Sequence, residues 1–269
     1  MIPHTTWLNR SAISISTLDG RPIEIWEFNY VDDKSIMSAW AKHFRSHYCN
    51  DDDLDELLVG TYKTRAEYLR DLKFPDCKKK PGPSIRSGDF GEILVADFLE
   101  YIEGYWVPRT RYVNKTIRNE SVKGSDMIGF KYKTDHTTVS DDDEMIIFEA
   151  KAQLSGKKAK GKLNEAIKDS AKDKERLAES LNAMKQQLRK EDKELANRIS
   201  RFQSRPDVPY KEVFGAAAIF STEVFDTPTI ISTTKSKHDA GLNARLLIIH
   251  GINMMDLAHK LYDIACDEA

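Results

Sequence analysis

Met145-Ile146-Ile147-Phe148-Glu149-Ala150-Lys151 is the stretch that decides the fold. Its opening run of apolar residues reads as a strand buried on both faces. Successive strand side chains point to opposite sides, so Met145, Ile147, Glu149 and Lys151 share one face and Ile146, Phe148 and Ala150 the other. A carboxylate and an ammonium are thus held side by side at the end of an apolar strand. Burying such a pair is costly unless each charge is compensated, and a divalent cation with a phosphate would compensate both. The plainer reading is a surface ion pair, but apolar residues on both faces ahead of Glu149 speak against exposure.

Working outward, Gly124-Ser125-Asp126 opens a second strand candidate, about 125–133, and the polar loop Thr134–Asp143 separates it from a strand at about 144–153. Antiparallel pairing of the two would bring Asp126 toward Glu149 across the 22 intervening residues. Two carboxylates favour a hard cation such as Mg²⁺, with Mn²⁺ as the alternative. Such a cation acidifies its bound water and screens charge on a scissile phosphate, while Lys151 would orient the water or stabilise developing negative charge. The bland alternative for Asp126 is a cap on the strand entry within a Gly-Ser-Asp turn. Upstream, Ser87 or Asp89 can cap a helix carrying Phe90, Ile93, Leu94, Phe98 and Ile102, which ends near Gly104 and leads to a strand at about 106–113.

Downstream, residues 163–202 read as one long helix or two abutting ones, with Leu177, Leu181, Met184, Leu188, Leu195, Ile199 and Phe202 at three-or-four spacing. A continuous helix would run roughly 60 Å, so this stripe is either core or an amphipathic docking face. Pro206 and Pro209 end it. Two buried strands follow at Phe214–Ser221 and Ala244–His250, then a closing helix from Met254 to Ala265.

The N-terminal part is patterned differently. Residues 11–30 read as a hairpin turning at Asp19-Gly20. Helices are expected at 35–49 and within 52–72, and the breaker-rich Cys77–Pro83 suits a connection between lobes. The expected division is a hairpin-and-helix lobe at 1–80, for docking or regulation, and a catalytic domain at 81–269.

The order helix, strand, strand with Asp126, strand with Glu149-Ala150-Lys151, helix, strand resembles the PD-(D/E)xK restriction-endonuclease-like fold. That resemblance implies an α/β (α+β) core, αβββαβ, with a mixed central sheet and covers about residues 85–222. Ser125 stands where the motif has proline. Gly91-Glu92 looks like the additional acidic residue many members place on the preceding helix to assist the metal, so the implied metal ligands are Asp126, Glu149 and Glu92. Within the superfamily, SGDFGEILVADFLE (87–100), KGSDMIGF (123–130) and IIFEAKAQLS (146–155) are similar to the nuclease subunit of the Hachiman anti-phage defence system. The resemblance implies a Mg²⁺-dependent deoxyribonuclease held by a large helicase partner until damaged or foreign DNA releases it. A non-catalytic helicase-binding subunit on a degenerate nuclease fold is the alternative, and the intact acidic-acidic-Lys set speaks against it.

Composition bounds the rest. With 269 residues, 40% hydrophobic and 31% charged, the chain can bury one large core and solvate long helices. No apolar run nears the roughly 20 residues a membrane span needs. The N-terminus lacks a signal pattern, and Cys49, Cys77 and Cys266 form no CxxC pair. No disulfide scaffold or zinc ribbon is expected, and a reducing cytoplasm is the natural home. A net charge of −2 excludes a generally basic nucleic-acid binder. Lys157 to Lys162, a near miss to a phosphate-binding loop that lacks the Ser/Thr hydroxyl at Leu163, is better suited to a DNA backbone than to ATP. Gln153, on the Lys151 face, is a candidate contact for DNA or a metal-bound water. His43 and His47 are four apart on a helix, a zinc-capable spacing, but no third ligand is evident and Lys42 and Arg45 suggest an exposed face. His250, at a strand end, reads as a packed residue.

Overall fold

Alternating apolar strands in the second half of the chain assemble into a mixed sheet, and helices cover both of its faces. The computed structural model describes residues 2–113, 115–122, 124–233 and 244–269; Lys123, in one of the stretches that carry the resemblance, lies outside them. In chain order the elements are β1 (Leu8–Arg10), β2 (Ile15–Ser16), β3 (Pro22–Phe28), α1 (Lys34–Ser46), α2 (Asp51–Leu58), α3 (Arg65–Tyr68) and α4 (Gly82–Asp97). Then come β4 (Met127–Lys131), β5 (Glu144–Gln153), α5 (Lys162–Ser170), α6 (Asp173–Glu191), α7 (Lys193–Ser200), β6 (Lys211–Ser221), α8 (Thr227–Ile231), β7 (Arg245–Gly251) and α9 (Met254–Asp267).

The sheet order is β1-β3-β7-β6-β5-β4, with β2 paired to β3. β3, β7, β6 and β5 run parallel to their neighbours in that row, while β1 and β4 close its two ends antiparallel. On one face Ile146, Phe148, Ala217, Ile219, Leu247 and Ile249 pack with α1, α4 and α9. On the other, α5 covers Ala216, Ala218, Phe220 and Ile248, and the α6–α7 pair covers Ile128, Phe130, Met145 and Ile147. The period-2 reading of the central strand therefore holds residue by residue. The described residues contain no helix long and apolar enough to cross a membrane.

Several expectations shift. The strand expected at about 106–113 is reduced to a single bridge, Trp106 to Phe130, because its polar residues are drawn into side-chain ion pairs described below. α4 begins five residues before Ser87, with Pro83 in its first turn, where a missing N–H is harmless. Asp89 is therefore no cap: it is buried within the helix, bonded by Tyr48 and Lys115. The segment 163–202 is three helices. Asp192 is extended and caps α7, so α7 folds back on α6 and buries Leu181, Leu188, Ala196, Ile199 and Phe202. The apolar stripe is core, not a docking face.

The N-terminal hairpin forms around Gly20, whose φ of +80° suits glycine. It does not stand apart, however. β3 is hydrogen-bonded to β7, and Trp7, Phe28, Trp40 and Phe44 share one apolar core with α4 and α9. The breaker-rich stretch before residue 83 is thus no boundary in the packing: aromatic residues of the first 50 positions fill the space above β7 and β6.

Candidate active site

Glycine at 91 sets how closely α4 lies on the sheet. A Cβ there would come within 3.0 Å of the Ala152 methyl and 3.3 Å of Ile219, so the helix rests directly on β5 and β6. That contact carries the next residue, Glu92, to the end of β5. There β5 outruns its antiparallel neighbour: the last β4–β5 pair is Met127 with Phe148. One step further in the same register, Asp126 stands across from Glu149. Its Oδ2 accepts a hydrogen bond from the Ala150 backbone N–H at 3.1 Å.

Glu92, Asp126, Glu149 and Lys151 all line one cavity of about 820 Å³, together with Arg111 and Asp169. Lys151 Nζ lies 2.5 Å from Glu149 Oε1 and 3.2 Å from Asp169 Oδ2. Arg111, which nothing local in the sequence marks out, bridges the other two acids. Its Nη2 donates to Asp126 Oδ1 at 2.7 Å, and its Nε lies 2.8 Å from Glu92 Oε2 as an ion pair without good hydrogen-bond geometry. The guanidinium also holds the carbonyls of Val122 and Ser125, tying the turn before β4 to the site. Tyr112 Oη donates to Glu92. Glu92 is therefore held from two sides, by Arg111 and Tyr112.

The electrostatics are lopsided. Burial, then the charge of Asp126, push the Glu149 carboxyl up to about 8, and Lys151 only partly opposes this. Glu92 is likewise pushed up to about 8, by burial first, with Asp126 and Asp89 adding to it against Arg111. Asp173, at the start of α6, is raised to about 6 by burial and by Asp126, and its Oδ2 is buried without a hydrogen-bond partner. Lys151 is raised despite its burial, because Glu149 and Asp126 favour its charge. Buried carboxylates that resist ionising beside one another mark a place where added positive charge would be welcome. Asp126, Glu149 and Glu92 line that one cavity, with Glu92 held by Arg111, and their carboxylate oxygens are the donor type a hard divalent cation takes.

Neither Asp173 nor Asp169 was foreseen. Both sit among many charged residues of α5 and α6 with no local signal. Gln153 is used otherwise than expected: its side-chain amide bonds Lys158 O at 2.8 Å and Lys160 N at 2.9 Å. It braces the lysine loop that follows β5, where Lys157 and Lys158 are exposed. His250 stacks on Phe225 at 4.3 Å, as a packed residue would.

Elsewhere among the described residues, ligand atoms of His43, His47 and Asp97 come within 4.8 Å of one another. No curated protein matches the chain. The family model described as HamA matches residues 3–265.

Proposed function

This chain belongs to the HamA family, a subunit of the Hachiman anti-phage defence system, and from that premise we propose that it is a metal-dependent nuclease that hydrolyses DNA phosphodiester bonds. The observation that carries the reading is the junction of β4 and β5, where Asp126 faces Glu149 in one cavity and Lys151 pairs with Glu149. The succession α4, β4, β5, α5, β6 supports a restriction-endonuclease-like core whose first strand has shrunk to the Trp106 bridge.

Asp126 and Glu149 would hold a Mg²⁺ ion, with Glu92 as a further ligand once released from Arg111. The ion would acidify a bound water and offset charge on the phosphate. The protein's own groups have separable roles. Asp126 is fixed by the Ala150 N–H and by Arg111. Lys151, kept protonated by Glu149, acts as a fixed positive charge toward developing negative charge rather than as a base. The exposed Lys157 and Lys158 supply charge for a DNA backbone.

A second reading draws on one specific observation: Arg111 and Lys151 already neutralise much of the acidic set. That suits a non-catalytic subunit that docks on a helicase, and it equally suits a nuclease restrained until a helicase partner acts. Plasmid DNA incubated with wild type, Glu149→Gln and Lys151→Ala, in Mg²⁺ and in EDTA, separates them. Mg²⁺-dependent cleavage lost in both variants supports catalysis. Cleavage unchanged in either variant rejects this site. If the wild type alone is silent, the assay is repeated with the partner and ATP, and silence there too favours the docking subunit.

A further inference from the structure

On the sequence alone His43 and His47 have no third ligand, but folding supplies one. His43 lies in the last turn of α1 and His47 caps it, while Asp97 ends α4. His43 Nε2 is 2.8 Å from Asp97 Oδ1 and 3.2 Å from His47 Nε2, and the three ligand atoms all lie within 4.8 Å of one another. Ligands held about 2.0–2.1 Å from a tetrahedral zinc ion are roughly 3.3 Å from each other. We propose that His43, His47 and Asp97 form a structural site for Zn²⁺ that clamps α1 to α4.

The surroundings are those of a built site. Asp97 and His47 are buried. Asp97 Oδ2 is held at 3.0 Å by His4 Nε2, whose ring stacks on Trp40 at 4.5 Å, a carboxylate-orienting contact of the kind that supports metal ligands. Arg109 Nη2 also touches Asp97 Oδ1, at 2.9 Å, and is shared with Glu100. Asp97 and Glu100 against Arg109 leave one negative charge for the cation. Two imidazoles and one carboxylate select a borderline metal such as zinc over Mg²⁺. His47 and Arg109 also line the large cavity, so solvent has access to supply a fourth ligand.

The test uses the full chain stripped with EDTA, then titrated with Zn²⁺ against a chromogenic chelator and with Co²⁺ followed by visible absorption. The expected result is about one Zn²⁺ per chain with a tetrahedral Co²⁺ spectrum. His43→Ala/His47→Ala should weaken binding at least roughly a hundredfold, while Asp126→Asn binds as wild type does. Folded wild type that takes up no zinc overturns the site, as does equal binding by the double variant or loss in Asp126→Asn. Should the double variant unfold, nitrogen NMR of labelled wild type decides: zinc must shift the His43 and His47 resonances, and unmoved resonances overturn the proposal.

Discussion

Two buried polar clusters share α4 and an arginine pair, yet treat their carboxylates in opposite ways. Glu92 and Asp97 lie five residues apart on or at the end of one helix, and Arg111 and Arg109, two apart on one irregular segment, reach one cluster each. Around Glu92 and Glu149, acids outnumber their cations, and both carboxyls are pushed up to about 8. Asp97 is as deeply buried, but Arg109, His4 and His43 outweigh its desolvation and hold it well below the usual range. Burial alone therefore predicts neither ionisation nor purpose; the donors around the carboxylate decide. The first cluster must lose protons to take a hard cation. The second already holds its carboxylate ionised.

The largest effect that bears on this contrast is kinetic. Glu149→Gln or Lys151→Ala should lower Mg²⁺-dependent cleavage roughly 100- to 1000-fold, measured on plasmid DNA, while Asp97→Asn leaves the rate per folded molecule within a small factor. Equal losses from both clusters would merge them into one site.

Next come the buried charges. Asp97→Asn removes the negative charge facing Arg109 and two histidines, and one of the two acceptor oxygens, and should cost about 3–5 kcal/mol in urea unfolding. Arg111→Ala leaves Glu92 and Asp126 uncompensated, at a similar cost in EDTA. Mg²⁺ should then restore more of the Tm in Arg111→Ala than it adds to wild type, since the guanidinium no longer competes with it. A Mg²⁺ response no larger than that of wild type would remove Arg111 from the cation's path.

Glu149→Gln should act in the opposite direction on stability. With EDTA at pH 8 the amide carries no charge to bury, so the Tm should rise, by roughly 2–4 °C for each kcal/mol recovered. A fall would mean that the Lys151 pair outweighs desolvation.

The smallest effect is a slope. Glu149 has a folded pKa raised from 4.5 to about 8, so its protonated form favours the fold. That contribution is complete below about pH 4.5 and is lost as pH rises toward about 8. The metal-free Tm should decline across that window, and Glu149→Gln should flatten the decline. An unchanged slope would assign it to Glu92, which is raised to a similar value.

Reading the chain locally sufficed for what depends on neighbours along it. The period of two placed Glu149 and Lys151 on one face of β5, and the polar loop before that strand implied the hairpin that sets Asp126 opposite Glu149. Family membership was legible in three short stretches of sequence. Partners across space were not. His43 and His47 met Asp97 only because aromatic packing from Trp40 to Phe90 brings α1 onto α4. Arg111 met Glu92 and Asp126 although dozens of other cations were equally eligible. The spacing of a side chain within its own element follows from backbone geometry alone. The choice of one partner among 41 basic residues follows from which elements pack together, and burial then determines which of those charges count.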